Sequence, residues 1–424
     1  MSSKKTPLKN QAVTLNNIMD TTAQKQMRIA VFGGSFNPVH FGHMGIVSGL
    51  VKQRYDKVIV MPAFVSPFKD TETAVDFEQR DEMLRLAFMS FLFDISVNAV
   101  AVAEFIRTDR LIISDIETKR KGVSFTYETV NSLKEQYPDA AFDFVIGEDC
   151  LPSLKNWKNF DKLKKMTDFL IVKRGHSKNY DVLLEELKAA GANLRIAGFD
   201  TPDISSSFVR ILNAFGRASE AVPQSVADYI KENKLYREYR YIAKRYAESG
   251  ISKERAEHSI RVAEDAINLA KINGVNLNDA ITAALLHDIA KNTSWAEMSE
   301  SGYLSAEDTE KIENLPEACR HAWIGAWAVE KLMGLSPEIA DAVRLHTTGA
   351  PDMSALAKII YLADYIEKGR SQKDLTALRK TVYADLDEGM RTALKLTLGH
   401  LEQRGGEICD LTREAHKFYL KNKA

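Results

Sequence analysis

Between position 27 and about 175 the chain alternates two hydrophobic rhythms. Short continuous apolar runs at 28–32, 57–61, 111–116, 141–146 and 169–172 read as buried strands. Between them, 45–54, 78–93, 127–135 and 160–165 carry apolar residues at three- and four-residue spacing, the pattern of a helix with one buried face. That alternation predicts a parallel sheet with crossover helices. Another short strand is expected at 193–197, before Ser205-Ser206-Ser207, whose hydroxyls open a further helix. After Tyr236 the rhythm changes: no strand is expected, and amphipathic helices are predicted at 253–272, 277–289, 322–332, 336–346 and 353–367. The polar stretch 237–250 reads as a helical, solvated join.

The pattern therefore predicts two domains of different class, an α/β parallel sheet over 27–236 and an all-α unit over 251–424. A length of 424 residues accommodates both, and a hydrophobic share of 45% supplies their cores. A formal net charge of −1 sets no basic field toward nucleic acid or an anionic membrane. The most apolar segment, 84–106, contains Arg85, Asp94, Asn98 and Glu104, so it reads as a core helix plus connection and not as a membrane span. Three scattered cysteines, Cys150, Cys319 and Cys409, fit a reducing cytoplasm. Residues 1–26 are polar, with no apolar core of a secretory signal, and read as a disordered tail or as sequence upstream of a start at Met27.

Candidate chemistry begins in the first strand. Arg28-Ile-Ala-Val-Phe-Gly33-Gly34-Ser35-Phe36-Asn-Pro-Val-His40-Phe-Gly-His43 delivers a glycine turn to the carboxyl edge of a sheet, where ligands of open α/β sheets bind. Glycines there let main-chain N–H groups approach a phosphate, and a following helix aims its positive end at the same place. The long pattern Gly-Gly-x-Phe-x-Pro-x-His-x-Gly-His resembles the H-x-G-H nucleotidylyltransferase superfamily, and within it nicotinate-nucleotide adenylyltransferase. The likeness continues through Arg80-x-x-Met83-Leu84, Glu117-x-x-Arg120-x-Gly122-x-Ser124-x-Thr126-Tyr127-x-Thr129, Ile146-Gly147-Glu-Asp149 with Trp157, Lys173-Arg174-Gly175, Ile204-Ser-Ser-Ser-Phe-Val-Arg210 and Leu235-Tyr236.

This resemblance implies a Rossmann-like fold and transfer of AMP from Mg²⁺-bound ATP to nicotinate mononucleotide. It implies that His40 and His43 stabilise the transition state and that Gly33, Gly34, Ser35 and Phe36 line the nucleotide cleft. Gly147 and Asp149 would hold sugar or acceptor, Ser205, Ser206 and Arg210 the triphosphate, and Thr126 and Tyr127 the nicotinate side. Trp157 reads as core packing. Where the family has Pro-x-His-Lys, this chain has Ser66-Pro67-Phe68-Lys69, leaving Lys69 as the cation and nicotinamide mononucleotide as an alternative acceptor.

In the helical half, His258, His287, Asp288, His321, His346 and Asp364 stand on separate apolar segments. A buried carboxylate among imidazoles calls for a compensating cation, and this donor set suits iron, manganese or zinc. Six donors exceed what one catalytic metal with open positions uses, so two metals bridged by Asp288 are expected. The set resembles the HD-domain phosphohydrolases. Arg255-x-x-His258, Leu286-His287-Asp288-Ile-Ala-Lys291, His321-Ala-x-x-Gly325, His346-Thr347-Thr-Gly349 and Lys358-Ile-Ile-Tyr-Leu-Ala-Asp364-Tyr-Ile-Glu367 are similar to the symmetrical bis(5′-nucleosyl)-tetraphosphatases. This implies a di-iron centre, alternatively manganese, and hydrolysis of diadenosine tetraphosphate to two ADP. Lys291, four residues past His287, is expected on the same helix face and within reach of a substrate phosphate. Arg255 and Thr347 are weaker candidates, and His176, His400 and His416 receive no role. The alternatives for this half are another nucleotide substrate, or a metal-dependent nucleotide sensor that regulates the first half.

Overall fold

The computed structural model describes residues 26–65, 75–94, 96–173, 179–370 and 375–421. Lys69, His176 and the expected tail, except Gln26, lie outside them. Strands β1 (Arg28–Gly34), β2 (Lys57–Pro62), β3 (Leu111–Ile113), β4 (Ala141–Gly147), β5 (Asp168–Val172) and β6 (Leu194–Ile196) form one sheet in the order β3-β2-β1-β4-β5-β6. Every pairing is parallel. The winding reverses between β1 and β4, which leaves a crevice at the carboxyl ends of those two strands.

Side-chain alternation explains the continuous apolar runs. Ile29 and Val31 join one apolar cluster with Val130, Leu133 and Leu151, whereas Ala30 and Phe32 join another with Val47, Leu50 and Val102. Both faces of the sheet are covered, so neither face of its strands needs polar residues. The third strand is shorter than its apolar run: residues past Ile113 leave the sheet, and Ile116–Arg120 turns into a helix. Segment 84–106 divides between helices Phe77–Met89 and Val97–Arg107, and among the described residues no helix is long and apolar enough to cross a membrane.

Beyond the sheet, helices Lys253–Asn273, Leu277–Leu286, Glu317–Trp327, Pro337–Leu345 and Ala355–Ile366 pack around buried Ile260, Ala284, Val343 and Ile360. The helix expected to run to 289 stops at Leu286 with His287 as its cap, and residues 287–292 continue as turns. Helices Trp295–Glu300, Ala306–Glu313, Thr376–Ala384, Leu386–Arg404 and Asp410–Lys421 also belong to this half.

The join is not the solvated helix that its polar composition suggests. Helix Arg240–Glu248 forms, but Tyr239, Ile242 and Tyr246, spaced three and four apart, bury one face completely. The Tyr246 hydroxyl donates to the Leu285 carbonyl and lies 2.8 Å from Ser259 Oγ, while its ring meets Phe215 edge-on at 5.7 Å. A single apolar cluster therefore runs from one sheet face through this helix into the helical half.

Candidate functional sites

At the carboxyl end of β1 the chain turns through Ser35 and Phe36, the latter at a φ of 48°, and enters helix Phe41–Lys52. His40 is the N-cap of that helix. Its Nδ1 accepts the His43 main-chain N–H, while Nδ1 of His43 accepts the N–H of His40. The two rings stack with centroids 3.6 Å apart. With both Nδ1 atoms accepting, the neutral rings carry their protons on Nε2, which gives two N–H donors at a helix N-terminus. Gly42 between them is required sterically: a Cβ there would stand 2.9 Å from the Pro202 carbonyl and 3.0 Å from the His40 ring.

A second helix start converges on the same loop. Ser205 caps helix Ser206–Ala214 by accepting the Phe208 N–H, and Ser206 Oγ donates to the Pro38 carbonyl at 2.9 Å. Arg210 is buried; it donates to the Asn37 carbonyl and to Ser207 Oγ, with Glu238 Oε1 2.8 Å from its Nε. Its guanidinium is thus engaged with the loop and the join. Tyr236 donates to Asn37 Oδ1 from the opposite side at 2.8 Å. Gly33 abuts the Phe144 ring, and Gly34 abuts the ring of Phe36. Asp149 is exposed just past β4, its carboxylate folded so closely over Gly147 that a Cβ there would collide with it. Thr126 opens helix Thr126–Gln136, and Tyr127 packs partly into the apolar cluster beside it. Trp157 lies edge-on to Phe144 in the same cluster.

In the helical half, His258 and Asp364, 106 positions apart, meet within one cluster. His258 Nε2 lies 3.1 Å from Asp364 Oδ1 and 3.2 Å from His287 Nε2. Asp288 Oδ1 stands 3.1 Å from His321 Nε2 and 3.5 Å from His346 Nε2, and these two nitrogens are 3.3 Å apart. His287 and His346 donate Nδ1–H to the carbonyls of Ala284 and Val343, both at 2.7 Å, which turns their Nε2 lone pairs inward. Three overlapping triplets, His258/His287/Asp288, His287/His346/Asp364 and Asp288/His321/His346, each bring ligand atoms within 4.8 Å of one another.

Electrostatics of the cluster match a cation site. Burial pushes the His287 imidazole down to about 4 and also lowers His321. Burial alone would raise the carboxyls of Asp288 and Asp364, but contact with His321 and His346, and with His258, holds both far below the usual carboxylate range. Burial would lower His258, yet Asp364 and Glu367 raise it to about 9. Asp288 Oδ1 is buried without a hydrogen bond of acceptable geometry, and it faces imidazole nitrogens. An orphaned carboxylate oxygen among inward-facing lone pairs fits a divalent metal.

A cavity of about 780 Å³ opens on this cluster. Arg255, Lys291 and Arg370 line it beside the cluster, and Tyr365, Thr397 and His400 extend its wall. Arg255 contacts Asp288 Oδ2, and Arg370 contacts Asp364 Oδ1. Lys291 is 3.0 Å from His321 Nε2 and 3.6 Å from Asp288 Oδ1, but it arrives from the 287–292 turn and not from a helix face. Arg370 lies outside every motif of the sequence, and His400, given no role above, joins it at this cavity. His400 follows Thr397 by three residues on one helix, a local signal that acquires meaning only where that helix crosses the cavity.

Comparison with known proteins places both halves. A Cytidylyltransferase-like family model matches residues 31–211, and an HD domain model matches 255–369. A Mycoplasma genitalium protein named "Probable nicotinate-nucleotide adenylyltransferase/Ap4A hydrolase" is 29% identical, covering 82% of this chain and 89% of its own length. A Streptococcus pneumoniae protein named "Probable nicotinate-nucleotide adenylyltransferase" is 34% identical over 50% of this chain and 90% of its own length. A solved Clostridium acetobutylicum structure, described as a predicted HD superfamily hydrolase involved in NAD metabolism, is 29% identical, covers 44% of this chain and 98% of that one, and has a TM-score of 0.39.

Proposed function

Because the chain belongs to the nicotinate-nucleotide adenylyltransferase family and carries an HD domain behind that unit, we propose that it is a bifunctional nucleotide enzyme. The first half transfers AMP from ATP to nicotinate mononucleotide, releasing pyrophosphate. The second hydrolyses diadenosine tetraphosphate to two ADP at a divalent-metal site.

For adenylyl transfer, an acceptor phosphate oxygen attacks the α-phosphorus of ATP and pyrophosphate departs. The nucleophile is already ionised, so the protein positions the groups and neutralises charge. The reading is carried by the reciprocal His40–His43 cap at the carboxyl edge of β1, beside the helix start at Ser205 and Ser206. Nε2–H of each histidine donates to phosphate oxygens as negative charge moves to the leaving group. The positive N-terminal ends of the two helices stabilise the remaining phosphate oxygens. Arg210 supports the site indirectly, by holding the Asn37 carbonyl. Thr126 and Tyr127 receive the pyridine.

In the HD half, His258, His287, Asp288, His321, His346 and Asp364 are the residues that would hold the metal, with iron or manganese favoured by the imidazole and carboxylate donors. A bound metal pair supplies Lewis acidity to the attacked phosphate and activates a water. Arg255, Lys291 and Arg370 bind the polyphosphate, and the rest of the cavity takes the nucleoside. A product assay tests both halves. ATP with nicotinate mononucleotide yields the dinucleotide and pyrophosphate, and diadenosine tetraphosphate yields only ADP. Turnover with nicotinamide mononucleotide alone would refute the acceptor, and ATP plus AMP as products would refute symmetric cleavage.

A further inference from the structure

His287 and His346 are oriented by main-chain carbonyls three residues back, a contact that helix geometry itself supplies. His258 is held differently. Its Nδ1 lies 3.4 Å from Oε1 of Glu367, a carboxylate only 2% exposed. Glu367 Oε2 accepts the Arg261 Nε–H and the Gly369 N–H, both at 2.6 Å. Arg261 stands three residues after His258 on the same helix, and Glu367 caps the helix that carries Asp364. The short segment 364–369 therefore grips the imidazole from both sides, Asp364 at Nε2 and Glu367 at Nδ1. Gly369 leaves room for this: a Cβ there would stand 2.4 Å from the Arg261 guanidinium.

A buried carboxylate is costly unless its lone pairs are taken, and here Arg261 and Gly369 take one oxygen while the other faces the imidazole. We propose that Glu367 is the positioning residue of the metal site, fixing His258 as the Nδ1–H tautomer so that its Nε2 lone pair points into the cluster. Such a carboxylate behind a ligating imidazole sets the ring's orientation and raises its basicity. The proposal rests on the reading that the six-residue cluster holds a divalent metal.

The test strips the full-length protein with chelator and titrates it with Mn²⁺ alone, following free Mn²⁺ by its electron paramagnetic resonance signal. Glu367→Ala is expected to weaken binding by about 10- to 100-fold. Glu367→Asp, which keeps both carboxylate oxygens on a shorter arm, is expected to recover part of that loss. Adenylyl transfer and the melting temperature of the metal-free chain report folding, and adenylyl transfer should match wild type in both variants. Glu367→Ala binding within twofold of wild type would overturn the proposal, as would an Asp variant no better than Ala. A wild-type protein that takes up no Mn²⁺ or Fe²⁺ would refute the metal site itself, a separate outcome visible before any variant is compared.

Discussion

A histidine at a helix N-cap is a weak structural choice, since Ser, Asp and Asn cap more strongly. At position 40 the imidazole does two things that a hydroxyl cannot: it stacks on His43 and it presents an Nε2–H beyond the cap. His40→Asn separates these roles. The cap survives, so stability should fall by no more than about 1 kcal/mol, whereas adenylyl transfer should fall by about 10²- to 10³-fold. Chemical unfolding and a coupled pyrophosphate assay measure the pair, and retained activity would remove His40 from the phosphate site.

Asp265 is the other instructive residue. Burial raises its carboxyl from 3.8 to about 6, opposed by the hydrogen bond from Tyr383 and by Lys368 and Arg379, with Glu264 reinforcing the rise. The native state holds this proton more tightly than the unfolded chain does. The associated stability is fully present below pH 3.8 and is lost as pH rises through 6. Asp265→Asn keeps an acceptor for Tyr383 and removes the charge. Its stability relative to wild type should therefore climb between pH 4 and pH 6 and level off at about 3 kcal/mol. A pH-independent difference in urea unfolding would contradict the assignment.

Among the elements, helix Arg240–Glu248 departs most from expectation. Charged and polar residues dominate its composition, but the three that matter share one face, and that face is buried. Its Tyr246 hydroxyl bonds to Leu285 and Ser259, neighbours in sequence of His287 and His258. Tyr246→Phe leaves the Leu285 carbonyl without this donor in an apolar setting and should cost about 1–3 kcal/mol. Because both partners adjoin cluster residues, Mn²⁺ affinity should fall with it; equilibrium unfolding and metal titration on one preparation check both. Unchanged stability would mean that the helix merely rests on the surface. The turn at 287–292 teaches a related lesson. Apolar periodicity continues through Ile289, yet the helix ends at His287, and Lys291 reaches the cluster only because the chain turns there.

For the whole molecule, the apolar cluster that spans the join predicts cooperative behaviour. Loss of adenylyl transfer and release of bound metal on heating should coincide within a few degrees, because unfolding either half exposes apolar surface of the other. Two transitions separated by 10 °C or more would show that the halves unfold independently.

Much of this organisation was legible in the chain because its causes are local. A strand covered on both sides must be continuously apolar, and a helix with one buried face must repeat at three and four, so the sheet and the following helices can be read from pattern alone. The glycine turn and the two histidines lie within 11 residues, from Gly33 to His43, and their reciprocal cap needs nothing from afar. The candidate metal donors stood out as residue types that apolar helices do not otherwise carry. Folding alone decided what depends on contacts between distant positions. Glu367 meets His258 across 109 residues, Arg210 turns to Asn37 across 173, and His400 reaches the cavity wall because its helix crosses there. No periodicity records such meetings, since each is fixed by how helices pack in space and not by the spacing of residues along any one of them.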